Sequence, residues 1–157
     1  MKSKSLKTAL ITLIIFLGAV PAYSASPFAS LTKRNDLDIT YVSKYLVNSK
    51  RHALYRGGVN FSNLVPNLES IYVIEANTKS GIDACKQAMK EYLKITKNCQ
   101  VLMTSKDGTD YDVIYGEPSP GMTGNKNVQR YNKLILYSEA PSDLTLIVVN
   151  EDAPEAQ

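Results

Sequence analysis

The chain has one histidine and two cysteines among its 157 residues, and that scarcity excludes most familiar catalytic and metal-binding chemistry. Without a second histidine there is no His-pair metal motif and little from which to build a three-ligand zinc site. His52 stands in Lys50-Arg51-His52 ahead of the Gly57-Gly58 pair, and no serine lies in a nucleophile-elbow context, so a Ser-His-Asp triad has no local support. His52 therefore reads as a solvated loop residue, and no catalytic residue, metal or cofactor is expected. The chain also lacks the roughly twenty consecutive apolar residues that a membrane-crossing helix needs. It has no internal repeat, no low-complexity tract and no RNA-type aromatic motif, and nucleic acid is not an expected partner.

The N-terminus reads as a secretory signal peptide. Lys2, Lys4 and Lys7 form a basic n-region, Ala9–Val20 is an uncharged, mostly apolar h-region, and Pro21-Ala22-Tyr23-Ser24 supplies small residues at the −3 and −1 positions. Cleavage is expected between Ser24 and Ala25, giving an exported chain, periplasmic or secreted, with no transmembrane helix. No cysteine follows the h-region to accept a lipid anchor. Processing also removes the apparent basicity: of 18 basic and 15 acidic residues, three lysines leave with the signal, so the remaining chain is balanced. The pI is thus no argument for nucleic acid.

The remainder suits one domain. Residues 25–35 show no sustained periodicity and read as a flexible leader; residues 36–150 form the domain; and residues 151–157, with three acids and no apolar anchor, read as a disordered acidic tail. Asp36 to Val42 reads as a short strand running into a helix that ends near Ser49, and Asn60 to Leu68 has room for one or two helical turns. Ile71 to Ile74 has the continuous apolar pattern of a strand buried on both faces. Ser80 to Asp83 matches a capping box opening a helix from Gly81 to about Lys97, whose packed face carries Ile82, Cys85, Met89, Tyr92, Leu93 and Thr96.

Cys99–Ser105 and Thr109–Tyr115 read as a hairpin around Asp107-Gly108, because Asp-Gly favours the positive φ angles of a two-residue turn. Glu117 to Asn127, with two prolines, two glycines and two asparagines, reads as an irregular loop. Val128–Tyr137 and Leu144–Val149 complete the strands, joined by the turn Ala140-Pro141-Ser142-Asp143. A run of strands after one long helix predicts an α+β fold: a largely antiparallel sheet of about five or six strands, with one long helix and one or two short helices on one face.

Tyr41-Val42-Ser43-Lys44-Tyr45-Leu46, Leu64 and Leu68 leading into Ile71-Tyr72-Val73, and Leu134-Ile135-Leu136 followed by Pro141-Ser142-Asp143-Leu144-Thr145-Leu146 carry a resemblance. Over about Asp36 to Asn150 the chain resembles the small exported or lipid-anchored bacterial proteins grouped as domain of unknown function 4252. The resemblance implies an α+β domain of the cell envelope and no particular activity.

Lys44, Lys50, Arg51, His52 and Arg56 concentrate positive charge and are the candidate contact residues for an unknown protein partner or envelope component. Lys86, Lys90, Lys94 and Lys97 trace a further basic stripe on the long helix, diluted by Asp83 and Glu91 and readable as a solvated face. Asp110 and Asp112 share one strand face about 7 Å apart. Such a pair could serve acid and base chemistry or share a cation, but a polar outer face after an Asp-Gly turn explains it without chemistry and is the preferred reading. Cys85 lies on the packed helix face, about 18 Å from the end of a helix that continues to Lys97, so free thiols are expected rather than a Cys85–Cys99 disulfide.

The expected function is therefore a non-catalytic exported envelope domain that binds a partner or surface through the basic region or the Glu117–Asn127 loop. The alternatives are a hydrolase acting on cell-envelope carbohydrate and a small-ligand carrier with an apolar cavity.

Overall fold

A computed structural model describes residues 26–45, 55–56, 59–60, 65, 68–119 and 130–150. The signal peptide with its Ser24–Ala25 junction and the acidic tail lie outside the described residues. Six strands form one antiparallel sheet: β1 (Asp38–Ser43), β4 (Ser70–Ala76), β5 (Gln100–Asp107), β6 (Asp110–Pro118), β7 (Tyr131–Glu139) and β8 (Leu144–Val149). Their spatial order is β1-β4-β8-β7-β6-β5, so the open edges are β1 and β5. The short strands β2 (Tyr55–Arg56) and β3 (Val59–Asn60) pair separately. Helix α1 (Lys79–Ile95) leaves β4 and delivers the chain to the far edge of the sheet. The architecture is α+β as expected, and among the described residues the only companion of α1 on its face is a 3-10 turn over Leu31–Lys33.

Strand alternation divides the sheet into two faces. The first carries Tyr72, Ile74 and Ala76 from β4, Leu144, Leu146 and Val148 from β8, and Ile135 and Tyr137 from β7. Helix α1 covers it with Cys85, Ala88, Met89 and Tyr92. The buried stripe is rotated relative to the sequence expectation: Ala88 is buried, whereas Leu93 is 38% exposed. Alanine can sit close to the sheet where leucine would hold the helix away.

The flexible-leader reading of residues 25–35 is corrected for Ser26–Asn35. Phe28 and Leu31 are 1% and 2% exposed and belong to the first-face core. The Phe28 ring lies 5.3 Å from that of Tyr92. Two large apolar side chains three residues apart suffice to seat one turn, although too few residues repeat to register as periodicity.

Two local expectations shift. The capping residue of α1 is Thr78, whose side chain accepts from Gly81 N at 3.1 Å, so Ser80 is already inside the helix. Its hydroxyl instead meets Arg34 Nη2 at 2.8 Å. In the β5–β6 hairpin Asp107 and Asp110 face each other, leaving Gly108-Thr109 as the turn. Gly108 has φ +60° and Thr109 has no positive φ, the arrangement of a turn with glycine at its first central position.

The second face falls into three cross-strand rows. Ile71, Val149 and Leu134 form a buried row, closed over by Val65, Leu68 and Tyr131. Next to it Val73, Ile147, Leu136, Ile114 and Met103 stand directly opposite one another across five strands. Beyond that row come Glu75, Thr145, Ser138, Asp112 and Ser105, also in direct register.

Candidate functional site

The sheet brings the ends of the two partner-contact segments to one place. Strand β1 ends at Ser43 opposite Ser70, where β4 begins. Asn150, just past β8, donates from its backbone to Ser70 O at 2.8 Å and from Nδ2 to Asn132 O at 2.7 Å, and its Oδ1 accepts from Glu69 N at 2.8 Å. This residue has φ 63°, a conformation that asparagine tolerates better than most side chains. On the next strands, Ser119 N donates to Arg130 O at 3.0 Å. The basic region and the loop after β6 therefore leave from and return to the same end of the sheet, beside the start of the acidic tail.

Of the candidate contact residues, Lys44 is exposed immediately after β1, with Nζ 5.7 Å from the Tyr45 ring centroid. The backbone of Arg56 pairs with Val59. Lys50, Arg51 and His52 lie outside the described residues, as does most of the helix expected to end near Ser49, of which Lys44-Tyr45 is helical. The Glu117–Asn127 loop begins later than expected, because Glu117 and Pro118 continue β6 opposite Lys133 and Tyr131. Pro118 sits where the register shifts, which is how a strand accommodates a residue without a backbone donor.

Polar side chains clip α1 to the first face at three points that sequence reasoning did not single out. Arg34 makes a two-pronged contact with Asp36 at 2.8 and 2.7 Å and also reaches Ser80. Glu139 takes the Lys86 ammonium and the Tyr137 hydroxyl. Tyr92 donates to Glu117 Oε2 at 3.0 Å, and Lys133 Nζ lies 5.9 Å from the Tyr92 ring centroid. Strand alternation held the only signal for two of these clips, since Glu117 and Glu139 share the parity of Val113 and Tyr137 respectively; the Arg34 clip, which lies off the strands, had none.

These contacts set the electrostatics. The Lys86 contact, followed by the Tyr137 hydroxyl, holds the Glu139 carboxyl below its ordinary pKa, and the Arg34 hydrogen bond does the same for Asp36. Burial, reinforced by Glu117 and Glu139 respectively, keeps the Tyr92 and Tyr137 phenols protonated as donors. For a depressed carboxyl the unfolded chain binds more protons as pH falls, so the stability it supplies is present at neutral pH and lost in acid. Unfolding by urea should therefore require less denaturant as pH drops below about 5. Glu139→Gln should lose less of its own pH 7 stability between pH 7 and pH 3 than the unmodified chain does; an equal loss would show that the Glu139 clip contributes nothing.

Both cysteines are free thiols. Burial pushes Cys85 up to about 11, and burial followed by the Glu117 charge raises Cys99. Neither is poised as a thiolate nucleophile, which needs a lowered pKa. Thiol titration of the native protein should modify half-buried Cys99 first, leave fully buried Cys85 unreacted, and reach two thiols per chain only after denaturation. Simultaneous modification in the native state would contradict this burial.

Asp110 is exposed beside the hairpin turn, and Asp112 stands between Ser105 and Ser138 in the polar row of the second face. Among the described residues no three His, Cys, Asp or Glu side chains gather as a metal site, and no helix is long and apolar enough to cross a membrane. No family model, curated protein or solved structure matches the chain.

Proposed function

We propose that this protein is an exported, non-catalytic envelope domain that binds an anionic protein partner or surface at the loop end of its sheet. The observation that carries the reading is the shared origin of the basic region and the post-β6 loop, which brings Lys44 and Arg130 to the same end. The C-terminal end of α1, with Lys94 in its last turn and Lys97 just beyond it, lies on that side too, since Tyr92 reaches Glu117 next to the β6 terminus. Acidic side chains gather instead toward the opposite end, at Asp38, Glu75, Asp107, Asp110 and Asp143. The compartment in this reading rests on the expected signal peptide, and the resemblance to domain of unknown function 4252 supports it.

The test is capture from envelope extract across a salt series. Binding should weaken as salt rises, because exposed charges are screened beyond about 10 Å at 0.1 M. Replacing Lys50, Arg51 and Arg56 together by glutamine should reduce capture without lowering the unfolding midpoint, since the solvated loop expected from the sequence would hold charges that contribute little to stability. Deleting Glu151 to Gln157 should preserve or strengthen it. Salt-insensitive capture that survives the triple substitution would defeat the electrostatic reading. Export is checked separately by the mass of the envelope-fraction protein, which should begin at or near Ala25.

A further inference from the structure

We infer that the open half of the second sheet face docks a basic amphipathic segment of a protein partner, independently of the loop end. Its floor is the row Val73, Ile147, Leu136, Ile114 and Met103, aligned residue against residue across five strands. At about 4.8 Å between strands the row is roughly 19 Å long. Four of its members are half-buried, and Met103, on the open edge strand, is 45% exposed. Val65, Leu68 and Tyr131 close over the neighbouring row, yet Leu136 and Ile114 belong to neither apolar cluster of the described residues. An antiparallel sheet face that meets water ordinarily turns polar. Among the described residues this one does so only at the next row, which leaves an unbroken apolar row, half-buried at four positions and exposed at Met103, and apolar surface rimmed by polar residues is the usual mark of an interaction site.

The chemistry of the border identifies the occupant. Two residues along each strand, about 7 Å away, run Glu75, Thr145, Ser138, Asp112 and Ser105, with Asp38 opposite Glu75 at the β1 edge. Asp38, Glu75 and Asp112 have no ion-pair partner among the described residues. Three uncompensated carboxylates along an apolar strip repel anionic lipid and acidic polysaccharide. They complement a peptide whose apolar face is edged by lysine or arginine, because those side chains lay their methylenes on apolar surface while the charged head reaches sideways. At 1.5 Å per residue, about 13 residues of helix span the strip.

The test uses the purified protein and three fluorescein-labelled peptides of about 14 residues: a Leu/Lys sequence with helical periodicity, its Leu/Glu counterpart, and a Leu/Lys scramble without an apolar face. Fluorescence anisotropy should show the periodic Leu/Lys peptide binding at least about tenfold more tightly than the other two. Amide shifts on the unmodified protein should map to Val73, Ile147, Leu136, Ile114 and Met103. Leu136→Thr with Ile114→Thr, which keeps strand-forming side chains, should weaken binding by about tenfold or more. Glu75→Gln with Asp112→Asn should weaken it less and flatten its salt dependence. Equal binding of all three peptides, shifts confined to the loop end, or tighter binding of the Leu/Glu peptide would overturn the assignment. So would self-association that the Leu136 and Ile114 substitutions abolish, which would make a second copy the occupant. The shift map on the unmodified protein keeps the test decisive if a variant fails to fold.

Discussion

Phe28→Ala is expected to lower the unfolding free energy by about 3–5 kcal/mol, the cost of emptying a well-packed aromatic site. Phe28 is 1% exposed, stacks obliquely on Tyr92 at 41°, and shares its core with Leu31 and Leu37. Its loss would leave a cavity walled by side chains that other contacts hold in place. Tyr92 remains tied to Glu117, and Leu37 abuts Gly81, where an added β-carbon would come within 2.9 Å of Leu37 Cδ2. Such anchored walls cannot collapse inward, which puts the cost toward the upper part of the range. The measurement is urea unfolding followed by circular dichroism, with a lower midpoint at unchanged slope. Lys33→Ala, an exposed change in the same turn, should stay within about 0.5 kcal/mol. A Phe28→Ala effect below about 1 kcal/mol would return the segment to the status of a leader. The same reasoning predicts that a chain beginning at Asp36 is severely destabilised, because it lacks both Phe28 and Leu31 against a typical total of about 5–15 kcal/mol.

Gly116→Val should destabilise the fold by about 3 kcal/mol or more, at or beyond the upper end of ordinary overpacking. A β-carbon at this position would come within 2.6 and 2.7 Å of the Tyr131 ring and 2.8 Å of Leu102 Cδ1. The ring has little room to retreat, since Tyr131 is 8% exposed and packed with Leu134 and Val149. Glycine is needed here for space rather than for backbone freedom: Gly108, with φ +60°, has nothing within 4 Å of its own added β-carbon. A double-mutant cycle separates the cause. Combined with Tyr131→Ala, the valine substitution should cost less than the sum of the two single changes, since neighbours in contact couple by about 0.5–3 kcal/mol. Strict additivity would mean that the strain is relieved elsewhere.

Legibility followed the range of the interaction. The Cys85-Met89-Tyr92 stripe and the hairpin strands on either side of Gly108 are each written within a short window, where a period of two or of about 3.6 residues reports directly on which side chains face a core; the unbroken run Ile71 to Ile74 marks a strand, but one whose second face is buried at Ile71 and only half-buried at Val73. The capping residue was misread by two positions because Thr78 and Ser80 are both competent hydroxyl acceptors. Thr78 holds the cap, while the Ser80 hydroxyl accepts from Arg34, 46 residues away, a contact that no local pattern announces. The turn was displaced by one residue for a similar reason: Asp107 joins the cross-strand ladder opposite Asp110, and pairing outweighs the local preference for Asp-Gly at the centre.

By itself the sequence determined the fold class, the long helix between β4 and β5, the alternating strands and the scarcity of metal-ligating histidine and cysteine, since composition and local periodicity suffice for these. Tertiary structure alone decided that Phe28 and Leu31 belong to the core, that Gly116 must remain small, that the loop flanks meet at one end, and that five apolar residues from five strands align into one strip. Each of these depends on which strands become neighbours and in what register. Register is fixed by the burial of the whole face at once, because a slip of one residue would turn every side chain of a strand to the opposite side.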